Sequence, residues 1–126
     1  MFDITVRVGR ERVLDLLTTA FEGAVGYWCQ VERWETPDGF ELSEGPGYAE
    51  LPLVKGGAVV CTDVVYPDPD DECYRLDLEA LQRGLLIMAS EERYQRHWTA
   101  VITADFDAET ADVFVQLALF GEVVYG

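Results

Sequence analysis

The sequence predicts an α+β fold: a small antiparallel sheet covered by three to four helices, with a buried helix near the C-terminus. Three observations carry this. Between Val113 and Phe120 only Gln116 is polar, and a helix that is apolar on nearly every side must be buried on nearly every side. Around Leu14, Leu81 and Trp98, apolar residues recur with the spacing of an amphipathic helix. Between these lie stretches rich in aromatic and β-branched residues, punctuated by glycine and proline, as short strands are. The 126 residues suit one domain, and no apolar run reaches the roughly 18 residues of a membrane span.

In chain order, residues 2–8 alternate Phe2, Ile4, Val6 and Val8 with polar residues, the period of a half-buried strand. Gly9 ends it. Residues 10–21 set Val13, Leu14, Leu17, Ala20 and Phe21 on one side of a helix that stops near Gly23 or Gly26. Residues 24–35 hold Val25, Tyr27, Trp28, Cys29, Val31 and Trp34 and read as a strand. Regular alternation would put Tyr27, Cys29 and Val31 on one face, and Trp28, Gln30, Glu32 and Trp34 on the other. Residues 36–47 are a turn-rich loop. Residues 48–54 and 58–65 read as two strands joined at Lys55-Gly56-Gly57, the first an edge strand because of Pro52.

Residues 66–72 form a proline-spaced acidic loop, and residues 73–76 a short strand. The helix that follows is capped by Asp77 and runs to about Ser90. Gly84 inside it costs about 1 kcal/mol against alanine, which a close helix–helix contact would explain. Residues 91–104 make another helix, with Tyr94, Trp98, Val101 and Ile102 on its apolar side. The central helix spans residues 108–120, capped by Asp107, with Glu109 in its first turn and Gly121 just past its end. Val123, Val124 and Tyr125 form an apolar tail expected to dock on the body.

Charge is the most informative bulk property. Nine Lys and Arg against twenty-four Asp and Glu give −15. Such a chain repels phosphate backbones and anionic lipids, so neither nucleic acid nor membrane is expected as a direct partner. Residues 32–72 hold eleven acids against Arg33 and Lys55, which is −9 of the total. The sheet and its loops are therefore expected to form a negative face. Trp28, Trp34, Phe40 and Tyr48 are interleaved with the acids, and acid with aromatic suits the basic surface of another protein. The plainer alternative is that the acids keep a small domain soluble while the aromatics pack inside.

Motifs for chemistry are scarce. The chain has one histidine, His97, beside an apolar helical stripe. Cys29, Cys61 and Cys73 form no Cys-x-x-Cys pair, so zinc and thioredoxin-like readings fail on spacing and reduced thiols are expected. No glycine-rich phosphate loop is present. Asp68, Asp70, Asp71 and Glu72 offer oxygen ligands but lack the central glycine and distant glutamate of an EF-hand loop. No metal or cofactor is expected. The N-terminus lacks the basic-then-apolar layout of a signal peptide, and the cytoplasm is the expected compartment.

The run from Asp107 to Gly126, ending Leu119-Phe120-Gly121-Glu122-Val123-Val124-Tyr125-Gly126, resembles the ending of a family of small uncharacterised bacteriophage and prophage proteins. Thr18-Thr-Ala-Phe-Glu-Gly with Gly26-Tyr-Trp resembles its N-terminal signature, and Leu81-Gln-Arg-Gly-Leu-Leu-Ile-Met-Ala89 with His97 its middle. The resemblance implies a phage origin, a place in the host bacterial cytoplasm and one domain. It carries no catalytic residue across.

A phage origin favours a non-enzymatic acidic protein that inhibits or modulates a host defence or DNA-handling protein, partly by mimicking the charge of DNA. The residues expected to meet a basic surface on a host or phage protein are Glu35, Asp38, Glu41, Glu44, Asp68, Asp70, Asp71 and Glu72, with Trp34 and Phe40 as anchors. The alternatives are a small-ligand binder walled by Tyr27, Trp28 and the turn from Gly23 to Gly26, in which copies of the chain associate, and an accessory of phage replication or assembly. An enzyme has the least support.

Overall fold

Helix α4, Ala108–Phe120, forms the middle of the molecule, and every residue from Thr110 to Ala118 is buried. Asp107 caps it by accepting from the Thr110 amide at 3.0 Å, and Gly121 ends it with a positive φ of 76°. The computed structural model describes residues 2, 4–42, 47–67 and 73–126. Before α4 come α1 (Arg10–Thr19), a π-helical turn (Ala20–Ala24), strand β1 (Cys29–Glu35), a 3₁₀ segment (Gly47–Leu53), β2 (Ala58–Asp63), β3 (Tyr74–Leu76), α2 (Leu78–Ser90), a 3₁₀ turn (Glu92–Tyr94) and α3 (Gln95–Thr103). The strands form an antiparallel sheet in the order β1-β2-β3. One core joins Leu16 and Leu17 of α1, Val59 and Cys61 of β2, Leu81 and Met88 of α2, and Phe114 and Leu117 of α4. The expected α+β fold is the observed one.

Helix α2 packs on α4 where Gly84 meets Ala118. A Cβ on Gly84 would stand 3.0 Å from the Ala118 amide nitrogen and 3.1 Å from its Cα. The glycine that weakens α2 locally lets the two backbones approach. Arg83, the residue before it, closes the contact by donating its Nε to the Ala118 carbonyl at 3.2 Å. Asp77 caps α2 as expected, accepting from the Ala80 amide at 3.0 Å.

Three expectations for the sheet side are corrected. Residues 48–54 are not an edge strand, because residues 47–53 coil as a 3₁₀ segment with Ala49, Leu51 and Pro52 buried. The chain turns back so tightly that a Cβ on Gly57 would lie 2.5 Å from the Leu51 carbonyl oxygen. Lys55-Gly56-Gly57 therefore joins a coil to β2 rather than making a hairpin. Phe2 and residues 4–8, the described part of the expected first strand, form no strand within the chain, and Phe2, Ile4 and Val6 are exposed. The alternation is present in the sequence, but the sheet consists of β1, β2 and β3 alone and the segment pairs with neither edge strand.

The third correction is the phase of β1. Val31 pairs with Cys61 and Arg33 with Val60, so one extra residue sits in the strand there. This β-bulge reverses the alternation beyond it. Trp34 consequently shares the core face with Cys29 and Val31, opposite Val59, whereas regular alternation puts it on the other face. Trp28 lies in the turn before β1 and is buried at 1% exposure.

Candidate functional site

The bulge decides what the acidic segment presents. It turns Trp34 toward Tyr48, and their rings stack at 5.5 Å with planes 14° apart. Phe21 meets Tyr48 edge-on at 5.6 Å, so Tyr48 lies between two aromatic neighbours. Trp34 nonetheless keeps 48% of its surface exposed. It is a supported ring with one side open, as a protein-contact anchor needs to be. Phe40, the other expected anchor, is partly buried against the core.

Glu35 does not act as a free charge. It accepts from Arg75 Nη2 at 3.0 Å and lies 3.9 Å from Arg33. Its carboxyl is held below the usual range chiefly by the Arg75 hydrogen bond. Arg75 also pairs with Asp77. Arg33 and Arg75 are the two cross-strand neighbours of Val60, so the outer face of the sheet carries two guanidinium groups among paired carboxylates. The negative face expected of the sheet and its loops is interrupted there by Arg33 and Arg75. Exposed ion pairs of this kind contribute little stability, but they cancel charge.

Asp38 and Glu41 are exposed and enter no ion pair among the described residues. Glu44, Asp68, Asp70, Asp71 and Glu72 lie outside the described residues. Trp34, Asp38 and Glu41 thus remain as the accessible part of the expected contact set, on the edge strand and the connection after it. Ion pairs among the described residues engage Glu35, Asp77, Glu91 and Glu109. Across the whole chain acids outnumber Lys and Arg by fifteen.

The densest polar cluster lies elsewhere: the sequence offers Tyr27 and Trp28 as pocket walls, Tyr125 as part of a docking tail and Gln116 as a lone polar residue, but gives no sign of Asp112 or Asp63 as their partners. Asp112 accepts from the Trp28 indole at 2.7 Å, from Gln116 Nε2 at 2.9 Å and from the Tyr27 hydroxyl. Gln116 Oε1 accepts the amides of Val124 and Tyr125, both at 2.8 Å. Tyr125 stacks on Trp28 at 5.6 Å and donates its hydroxyl to Asp63. Burial and then the Asp112 bond push the Tyr27 hydroxyl up to about 12. Among the described residues no buried side-chain oxygen or nitrogen lacks a partner. With its donors taken up, this cluster fastens the C-terminal tail to the body. The one polar residue in an apolar run was the signal for it. Trp28, spent in this way, cannot wall an open ligand pocket.

His97 is buried at 6% exposure, with Nδ1 2.9 Å from Thr110 Oγ1, and Thr110 Oγ1 is 3.3 Å from Asp107. Burial, then the neighbouring Arg96, lowers its pKa. It joins α3 to α4 as a neutral imidazole in a hydrogen-bond chain with no exposed nucleophile. Cys29 and Cys61 are buried free thiols and Cys73 is exposed. The contact with Cys29, followed by burial, raises the Cys61 thiol far above its ordinary value, so Cys61 is no activated nucleophile. Among the described residues no three His, Cys, Asp or Glu side chains gather as metal ligands, and no helix is long and apolar enough to cross a membrane.

Two shallow grooves flank residues 6–8. One, of about 460 Å³, is lined by Arg7 and Arg12 but also by Glu11 and Asp15. Arg12 is already bonded to the carbonyl of Ile102 at 3.0 Å. These arginines form no uncompensated cradle for an anionic nucleotide. The other, of about 620 Å³, lies between Ile4, Val6 and Val8 on one side and Leu85, Leu86 and Trp98 on the other. No family model, curated protein or solved structure matches the chain.

Proposed function

We propose that the protein is a phage-encoded, non-enzymatic binding protein that docks its acidic edge on a basic surface of a host defence or DNA-handling protein and inhibits or modulates it. The observation that carries this reading is the half-exposed Trp34 on the edge strand, followed in the chain by the exposed and uncompensated Asp38 and Glu41. A supported aromatic gives the contact area, and the surrounding acids speed encounter and reject acidic partners. The excess charge of −15 supports the same reading, since a basic nucleic-acid cleft meets a surface with the sign of DNA. The resemblance of the C-terminal run to phage proteins supports the origin. The place of action is then the host cytoplasm.

The test is capture from host lysate on the tagged protein, eluted by stepped salt. A basic nucleic-acid-handling protein released at moderate salt is the expected result. Its affinity should fall with D38K/E41K and with charge reversal across residues 68–72, and the remaining binding should depend less on salt. W34A should weaken binding at every salt concentration. A partner retained equally by all three variants would overturn the reading.

A further inference from the structure

We propose that residues 2–8 are an intermolecular strand, which pairs antiparallel with the same segment of a second copy of the chain. This goes beyond the binding function above and does not rest on it. The segment has the sequence of a strand and no strand partner at home. Phe2, Ile4 and Val6 are 94%, 83% and 54% exposed, which leaves an apolar stripe open to water. Among the described residues the backbone of residues 4–8 makes no hydrogen bond, so its amides and carbonyls are free to form a ladder.

The sequence is complementary to itself in one register. Centred on Thr5, an antiparallel pair sets Phe2 opposite Val8, Ile4 opposite Val6 and, by their places in the sequence, Asp3 opposite Arg7. Two-fold symmetry then gives two opposite-charge pairs on one face and apolar pairs on the other, the arrangement that stabilises adjacent strands. Pairing one residue out of this register would mix the faces.

An isolated two-stranded ribbon is marginal in water and needs a helix beneath it. Helices α2 and α3 supply one. The groove of about 620 Å³ beside Ile4, Val6 and Val8 is floored by Leu85, Leu86, Ala89 and Trp98, and Leu86 is 60% exposed. A partner strand laid there covers Leu86 and the apolar side of both segments at once. Ile4, Val6 and Val8 of the first strand already border this groove, together with Arg7.

Sedimentation of the whole chain across a concentration series tests this. The expected result is a monomer–dimer equilibrium in the micromolar range. T5P, which removes a ladder amide at the centre, should abolish the dimer while leaving the melting temperature of the dilute protein unchanged. D3R should weaken the dimer roughly tenfold or more, because both charge pairs become repulsive. The exchanged chain D3R/R7D should recover wild-type affinity. A wild type that stays monomeric at high concentration, a dimer indifferent to T5P, or one that D3R/R7D does not restore would each overturn the pairing.

Discussion

The two ends of the chain make an instructive pair. Each is a short apolar segment with β-branched and aromatic residues, Phe2, Ile4, Val6 and Val8 at one end, Val123, Val124 and Tyr125 at the other. The C-terminal segment is fastened to the body, whereas at the N-terminal end residues 4–7 are exposed and Val8 alone packs against the core. Apolar content does not separate them. What separates them is a buried partner for the backbone. Gln116 presents its amide to the Val124 and Tyr125 backbone, and Trp28 offers a flat ring for Tyr125. No described side chain plays that part for residues 4–8. A stretch of extended chain docks where its peptide groups are satisfied, and hydrophobic side chains alone leave it exposed.

This contrast can be broken or sharpened by substitution. The largest effect is expected from W28A, which removes the floor under the tail and orphans one bond of Asp112. Loss of a buried indole should cost about 3–5 kcal/mol, read as a denaturation midpoint. Next comes Q116L, which keeps the volume and removes the tail's amide partner. A cost of about 1–3 kcal/mol is expected from the orphaned polar groups, with the Val124 and Tyr125 amides exchanging rapidly. Protected amides in that variant would mean that the aromatic stack alone holds the tail.

A smaller effect follows from pH. The Tyr27 hydroxyl is pushed from 10.0 to about 12 in the folded protein. A folded-state pKa raised above the unfolded value means stability that is present below pH 10 and lost as pH rises toward about 12. Y27F should flatten the fall in melting temperature between those values. The smallest effect is expected at the other end. I4T in the dilute protein should change stability by less than about 0.5 kcal/mol. A loss several times larger would show that residues 2–8 are held to the body, and the comparison would fail.

Legibility from the sequence follows how local the causes are. Helices α2 and α4 were readable to the residue, because Asp77, Asp107 and Gly121 act on their own neighbours. The Gly84 contact was readable as a need, though its partner Ala118 was not. The 3₁₀ coil at residues 47–53 was hidden because burial of Ala49, Leu51 and Pro52 overrides a strand-like composition. Counting charges found the acidic segment. It could not find Arg75 beside Glu35, since that pairing spans 40 residues and depends on strand order. Likewise Trp34 was chosen for its type, while its exposure depends on a bulge that no periodicity announces.

The extra residue in β1 has a consequence for insertions and deletions. Val31 and Trp34 share a face only because two residues, Glu32 and Arg33, are set against one step of β2. Removal of either codon would leave a straight strand with Trp34 still turned toward Tyr48. Adding a codon while the one-residue bulge is kept would turn the ring to the guanidinium side. In the history of such a gene, this strand can shorten at that point by one residue and keep its face.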